Sequence, residues 1–152
     1  MKTKAFFFRI FPLLFLACSF IMVSCEDDDD EVPSNEVAFK EATLNGAQEV
    51  PVNASQATGT FKGTFNKDTK ILSYTITFSG ITPTAMHFHK EAVGKSGPVV
   101  IPINGPYTSP LVGQTPALTA DQETDLMAGM WYVNVHSSQF PGGEIRTQVV
   151  KQ

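Results

Sequence analysis

The feature that most constrains the fold of this chain is the strict alternation of apolar and polar residues over Leu72–Ser79. Every second side chain is apolar, and the apolar set is Leu72, Tyr74, Ile76 and Phe78. A period of two residues is typical of a β-strand, because successive side chains of a strand point to opposite sides of the sheet. The segment therefore predicts a strand that buries one face against a core.

Shorter runs with similar composition lie on both sides of this strand and are separated by turn residues. The predicted strands are 37–44, 57–65, 71–79, 84–89, 98–103, 130–137 and 144–151. Gly59 and Gly63 interrupt the second run and indicate β-bulges there. Seven short strands at this spacing predict an antiparallel β-sandwich or barrel.

One helix is expected within this β-rich pattern. The sequence Thr119-Ala120-Asp121-Gln122 is typical of a capping box, so a short helix is predicted over 119–128, with Gly129 ending it. The segment 104–116 is rich in glycine and proline, and we interpret it as a loop. The predicted fold class is therefore all-β with one short helix.

Residues 1–24 predict a lipoprotein signal peptide, because a basic start is followed by an apolar stretch over 10–23. This stretch is short for a membrane span, which needs about 20 residues. The segment Met22-Val23-Ser24-Cys25 resembles a bacterial lipobox, in which a lipid is attached to the cysteine and the chain is cut before it. Cys25 is the predicted lipidation site and Cys18 a second candidate; a retained membrane anchor helix is the alternative.

Residues 25–36 predict a lipidated cysteine followed by an acidic tether. Six carboxylates follow one another over 26–31, and such a block repels itself and stays solvated. An acidic run directly after a lipidated cysteine resembles the export signal of Bacteroidetes lipoproteins displayed on the outer surface. We therefore expect an outer-membrane lipoprotein at the cell surface, held at the membrane by its N-terminal lipid, with a periplasm-facing protein as the alternative.

The remaining segment, 37–152, is the predicted folded domain, and it is electrically neutral. The whole chain carries a net charge of −4, but the segment from residue 37 onward contains eight acidic and eight basic residues. A neutral domain without a basic stripe argues against nucleic acid as a partner. The two cysteines both precede the domain, so a chain cut before Cys25 has no pair for a disulfide and depends on core burial for stability.

All three histidines lie in two short segments, 85–89 and 132–136. Residues two apart share a strand face, so His87 and His89 point the same way, opposite to the apolar set of their strand. His-x-His places two imidazoles about 7 Å apart, and His136 from a neighbouring strand would complete a three-imidazole site suited to copper or zinc. The alternative is that the histidines only form hydrogen bonds with their neighbours.

Further polar residues extend this face. Asn134, Glu144 and Arg146 are the predicted binding face, and Glu144 is also a candidate acceptor for the outer nitrogen of a ligating imidazole. The alternative for Glu144 and Arg146 is an ordinary exposed ion pair. The sequence Pro141-Gly142-Gly143 predicts a tight turn that returns Glu144 alongside the strand of His136.

Three segments resemble a CHRD domain, which is named from chordin. They are Leu44-Asn45-Gly46-Ala47-Gln48-Glu49-Val50-Pro51, then His87-Phe88-His89 with Gly94 and Gly97-Pro98-Val99-Val100, and finally Gly129 and Tyr132-Val133-Asn134-Val135-His136 with Pro141-Gly142-Gly143-Glu144-Ile145-Arg146. The resemblance covers about residues 38–150 in the right order. It implies an immunoglobulin-like β-barrel similar to that of copper-zinc superoxide dismutase.

The likeness to the dismutase rests on His87 and His89 before a glycine-bearing loop. The chain departs from that pattern because it has too few histidines for two metals, no aspartate zinc ligand in the loop and no disulfide. The resemblance leaves a single copper or zinc ion as the implied cofactor. We therefore predict a non-enzymatic binding or structural module for a protein or small ligand, with a single-site copper or zinc protein with a redox role as the alternative.

Overall fold

The computed structural model describes residues 35–152, which form nine strands, one α-helix and one 3₁₀ turn. The elements in chain order are β1 (Glu36–Ala38), β2 (Ala42–Asn45), the 3₁₀ turn (Gly46–Gln48), β3 (Thr58–Asn66), β4 (Ile71–Ser79), β5 (Pro83–Lys90), β6 (Val99–Ile103), β7 (Leu111–Gln114), α1 (Ala120–Met127), β8 (Trp131–Ser137) and β9 (Ile145–Gln148). The predicted signal peptide, the lipidation site Cys25 and all but the end of the acidic tether lie outside the described residues.

All nine strands belong to one sheet with the order β6-β5-β8-β9-β2-β3-β4-β7, and β1 pairs with β3 beside this path. Every pairing is antiparallel. The sheet curls into a half-barrel, and its two end strands, β6 and β7, both contribute lining residues to one cavity. The predicted all-β antiparallel sandwich or barrel with one short helix is confirmed.

The core fills the inner face of the curled sheet, and the alternation along each strand explains how it forms. In β4, Leu72, Tyr74 and Ile76 are buried, whereas the intervening serine and threonine side chains are half-buried or exposed. Phe88 of β5 packs edge-on against Phe61 and Tyr74, with ring centroids 6.1 and 5.2 Å away. Each fully buried aromatic side chain contributes about 1.5–3 kcal/mol to stability.

The helix has the predicted cap. The Thr119 hydroxyl accepts a hydrogen bond from the backbone of Gln122, and the Gln122 side chain accepts one from the backbone of Thr119. Leu126 anchors the helix in the core, and Gly129, at φ 71°, lets the chain leave the helix and enter β8. Within residues 35–152, no helix has the length and apolar character that crossing a membrane requires.

Three details of the strand prediction are wrong. The first predicted strand, 37–44, is divided into β1 and β2, which pair with different parts of β3. Strand β7 lies within 104–116, which we interpreted as a loop, and pairs with β4. Its four residues are flanked by prolines and include a glycine, so no alternation marks it. Gly59 and Gly63 keep an unbroken register with β4 instead of forming bulges. A Cβ atom at position 59 would lie 2.2 Å from the Thr77 carbonyl oxygen, so close backbone approach explains that glycine.

Candidate metal centre

The antiparallel pairing of β5 with β8 gathers the three histidines. His87 pairs with Asn134 and His89 with Tyr132, while His136 lies opposite the small side chain of Ala85. The intervening apolar residues of both strands face the core and are fully buried: Met86, Phe88, Val133 and Val135. The histidines therefore share the opposite face, as the alternation predicts. Loops cover that face, because His89 and His136 are each only 9% exposed.

The imidazoles converge on one point. Ring centroids are 4.9 Å apart for His87 and His136, 5.5 Å for His87 and His89, and 6.3 Å for His89 and His136. One nitrogen from each ring can be chosen so that all three lie within 4.8 Å of one another. Zinc binds imidazole at about 2.1 Å, so two nitrogens on one tetrahedral ion lie roughly 3.4 Å apart. Small rotations of the rings would reduce the nitrogen–nitrogen distances from at most 4.8 Å to this value.

Backbone carbonyls hold the outer nitrogens of two rings. Nδ1 of His89 lies 2.9 Å from the Gly97 oxygen, and Nδ1 of His136 lies 3.0 Å from the Pro141 oxygen. A carbonyl only accepts hydrogen bonds, so each Nδ1 carries the proton and each Nε2 is unprotonated and keeps its lone pair. Metal-ligating histidines commonly donate their second nitrogen to a carbonyl in this way, which fixes the tautomer and the ring orientation.

The lone pairs of these two rings point into the cluster. Nε2 of His136 is 3.1 Å from Nδ1 of His87. Nε2 of His89 is buried and has no hydrogen-bond partner among residues 35–152. Buried polar atoms are nearly always satisfied in folded proteins. The donor set, three imidazoles without a carboxylate, and the free Nε2 of His89 therefore fit a copper or zinc ion.

The electrostatics of the cluster favour neutral rings. Burial lowers the pKa of all three histidines. For His87 the charges of His136 and His89 act in the same direction, whereas the carbonyl hydrogen bonds of His89 and His136 partly oppose the effect of burial. Neutral imidazole is the form that ligates metals, so these shifts keep the ligands available near neutral pH.

Tyr132 supports the cluster, a role that was not predicted from the sequence. Its ring stacks on His89 with centroids 4.8 Å apart and planes 8° from parallel. Its hydroxyl accepts a hydrogen bond from the Gly97 nitrogen, and Gly97 is the residue whose oxygen holds His89. The guanidinium carbon of Arg146 lies 3.3 Å from the centroid of the same ring. Tyr132 lies two residues before Asn134 in β8, on the same strand face, and this position was the sequence signal that could have identified its role.

The predicted binding-face residues are buried on this side of the sheet, but their expected contacts are wrong. Asn134, Glu144 and Arg146 are 3%, 5% and 2% exposed, so an exposed ion pair between Glu144 and Arg146 is excluded. The Glu144 carboxylate accepts a hydrogen bond from Ser55 Oγ at 2.6 Å. The acceptors that orient the imidazoles are the carbonyls of Gly97 and Pro141, because the flanking loops bring the backbone closer to the rings than any carboxylate.

The turn at 141–143 forms as predicted. The Gly143 nitrogen donates to the Phe140 oxygen, and Gly143 adopts φ 132°, a conformation that favours glycine. The Glu144 nitrogen then donates to the Val135 oxygen, so the chain returns alongside β8. The same turn supplies the Pro141 carbonyl that holds His136.

Glu49 is a buried acid next to the site that the sequence analysis missed. It is 5% exposed, and burial raises its pKa to about 7, against the lowering effects of the Arg146 charge and of hydrogen bonds from Val50 and Asn134. Its position in Leu44–Pro51, one of the three segments that resemble a known family, was the signal that could have identified it.

Comparison with known proteins identifies one family. The model of the CHRD domain matches residues 40–149, a range that includes all three histidines, Glu49 and Arg146. No curated protein and no solved structure matches the chain. The family match supports, in general terms, a role as a binding or structural module. The match covers more than half of the residues of this chain, so the chain belongs to the CHRD-domain family.

Proposed function

We propose that this CHRD domain is a binding module for one transition-metal ion, copper or zinc, with His87, His89 and His136 as ligands. The observation that carries the proposal is that the ring nitrogens have two different roles. The outer nitrogens of His89 and His136 are held by carbonyls, while one nitrogen of each of the three rings falls within 4.8 Å of the others.

The surroundings also support a metal in preference to a purely structural cluster. Three mutually facing imidazoles repel one another when protonated, and burial already disfavours their charged forms. A structural role would be served by satisfied hydrogen bonds, yet Nε2 of His89 has none within the described chain. A bound cation would use this lone pair and those of the other two rings.

Three protein ligands leave a coordination position for a further molecule. A site of this kind suits metal storage, sensing or transfer, and with copper it also permits a redox role. We favour the non-enzymatic role. Turnover of superoxide by the copper-loaded protein, abolished by His136→Ala, would contradict that preference while leaving the metal site itself in place.

Metal analysis of the purified protein tests the site. After incubation with copper or zinc and removal of excess ion, we expect about one equivalent by elemental analysis and a higher melting temperature, since a ligand that binds only the folded state stabilises it. His89→Ala should lose both effects, whereas Lys95→Ala, an exposed loop residue, should keep them. Absence of stoichiometric metal together with unchanged melting would eliminate the proposal.

We also propose that the module is anchored through a lipid on Cys25 and displayed at the cell surface. The lipobox resemblance around Cys25 and the acidic run after it support this location. Incorporation of labelled fatty acid should be lost in Cys25→Ser but kept in Cys18→Ser. Protease added to intact cells should degrade the protein; protection until the outer membrane is opened would indicate the periplasm-facing alternative.

A further inference from the structure

Asn134 lies on the same face of the sheet as the histidines. It is directly opposite His87 in the pairing of β5 with β8, and it lies two residues before His136. The side chain is 3% exposed, and its oxygen, Oδ1, is buried without a hydrogen-bond partner among residues 35–152. Buried amide oxygens of folded proteins nearly always have a partner. This atom therefore marks a place where a donor or a cation can bind.

The nitrogen end of the same amide faces Glu49. The Glu49 carboxylate accepts a hydrogen bond from the Asn134 side chain, and Nδ2 is the only donor that an asparagine side chain has. The two groups meet beside Gly143, since a Cβ atom at that glycine would lie 2.8 Å from both Asn134 Nδ2 and Glu49 Oε2. Glu49 therefore fixes which way the amide points, with Nδ2 on the Glu49 side and Oδ1 at the other end.

The oxygen end of the amide acts on His89. Burial lowers the pKa of His89, and the Asn134 side chain opposes this shift, so it stabilises positive charge on the ring. Nδ1 of His89 is already bound to the Gly97 carbonyl. Asn134 Oδ1 must then act on the side of Nε2, which is itself buried without a hydrogen-bond partner in the described chain. The two unsatisfied atoms are therefore neighbours.

The tautomer of His89 explains why these two atoms do not satisfy each other. With the proton on Nδ1, the Nε2 atom has a lone pair and only accepts, and an amide oxygen also only accepts. Two acceptors do not form a hydrogen bond, but both can bind one cation, either a proton on Nε2 or a metal ion. Burial and the charges of His136 and Arg146 lower the pKa of His89, which favours the metal over the proton near neutral pH.

We propose that Asn134 is a fourth protein ligand of the metal ion and binds it through Oδ1. This role rests on the proposed three-histidine site and completes it, because three imidazoles leave one position of a tetrahedral ion open. The amide oxygen is neutral, and amide oxygens act as weak, long ligands of copper in other proteins. A weak fourth ligand is readily displaced by an incoming molecule, so the site stays suited to exchange.

Zinc affinity of full-length variants, measured by competition with a chelator, tests this role. Asn134→Leu keeps the size of the side chain but has no ligand atom, so it should still bind one equivalent of zinc, about tenfold more weakly than the wild type. Asn134→Asp keeps an oxygen at the same position and should recover or exceed the wild-type affinity, because carboxylates are common zinc ligands.

The matched control is Asn45→Leu. Asn45 Oδ1 is also buried without a hydrogen-bond partner among residues 35–152, but its strand, β2, is separated from β8 by β9. Its zinc affinity should equal that of the wild type. Equal weakening of zinc binding in Asn45→Leu and Asn134→Leu would overturn the proposal, because it would trace the effect to a general loss of buried polar groups.

A purely structural role of Asn134 predicts a different order of affinities. Aspartate lacks the N–H that Glu49 accepts and adds a second carboxyl beside it, so Asn134→Asp would then be the more damaging replacement. Unchanged zinc affinity in Asn134→Leu, or zinc binding by Asn134→Asp no tighter than by Asn134→Leu, would overturn the fourth ligand and leave the three-histidine site in place. Absence of stoichiometric zinc and copper from the wild type would overturn both.

A measurement on the wild type decides the question if a variant does not fold. Coordination through Oδ1 withdraws electrons from the amide, so one equivalent of zinc should shift the side-chain amide resonances of Asn134 in ¹⁵N NMR spectra. Those of Asn45 should keep their positions. Unshifted Asn134 resonances in a protein that holds one zinc ion would overturn the proposal.

Discussion

His136 accepts a hydrogen bond from His87, with His136 Nε2 and His87 Nδ1 3.1 Å apart. The direction follows from the next bond, because His136 Nδ1 already donates its proton to the Pro141 carbonyl. The proton between the two rings therefore belongs to His87. If the metal binds Nδ1 of His87, that ring alone has to change tautomer, while His89 and His136 are already in the required form.

In a Glu49→Gln background, which removes the opposing titration of Glu49, the metal-free protein should lose stability as the pH falls below 6.5. Burial lowers the pKa of the histidines from this ordinary value, so the unfolded chain binds more protons than the folded one in this window. Stability is then fully present above pH 6.5 and declines toward the lower folded-state pKa values. Urea denaturation at pH 5 and pH 7.5 measures the difference. In His89→Gln the decline should be smaller, and an equal decline would exclude this ring as a cause.

The titration of Glu49 should change stability with pH in the opposite direction to that of the histidines. Its pKa is raised from 4.5 to about 7, so the folded state binds more protons between these values and stability falls as the pH rises through them. Glu49→Gln removes this titration. Relative to the wild type, the variant should gain on the order of 2 kcal/mol between pH 5 and pH 8. If the free energy of unfolding of the two proteins differs by the same amount at every pH in this range, the pKa of Glu49 is not raised.

Gly97→Ala should disturb the site through the backbone. A Cβ atom at this position would lie 1.9 Å from the Lys90 oxygen, so the loop must move and carry its carbonyl away from His89. Loss of a group that orients a metal ligand typically costs 10- to 100-fold in metal affinity, which competition with a chelator measures. The matched control is Gly142→Ala, because nothing lies within 4 Å of that position. Its metal affinity should equal that of the wild type.

Tyr132→Phe separates the ring of Tyr132 from its hydroxyl. The phenyl ring keeps the stack on His89 and the contact with Arg146, but the hydrogen bonds to Gly97 are lost. We expect a loss of about 1 kcal/mol in the free energy of unfolding. Tyr132→Leu also loses the stack and should be less stable still. Equal stability of the two variants would show that stacking on His89 contributes little.

The sequence predicted the parts of this fold that alternation encodes. Strand β4 has the predicted bounds, and the strands of His87 and His136 pair with their histidines on one face. These features depend on side-chain direction along a strand, which is local. Strand β7 was missed because its identity comes from pairing with β4, not from its own four residues.

The candidate site was predicted less completely, because its supporting contacts come from loops. The carbonyls of Gly97 and Pro141 carry no side-chain signal, so the sequence pattern indicates only a carboxylate, Glu144, as a candidate acceptor. Glu49 is distant from β9 in sequence, and its proximity to Arg146 appears only when the segment after β2 lies over the sheet. Alternation can place residues on a face, but it cannot predict which loop covers that face.

Strand β8 is shielded from water on both sides along its whole length. Trp131, Val133 and Val135 complete the core, and Tyr132, Asn134 and His136 build the polar layer. A slip of one position against β5 would drive imidazoles into hydrocarbon and leave valines among the ligands. Correct folding and assembly of the histidine cluster are consequently the same event: a chain that has closed its sheet in the proper register has already built its site.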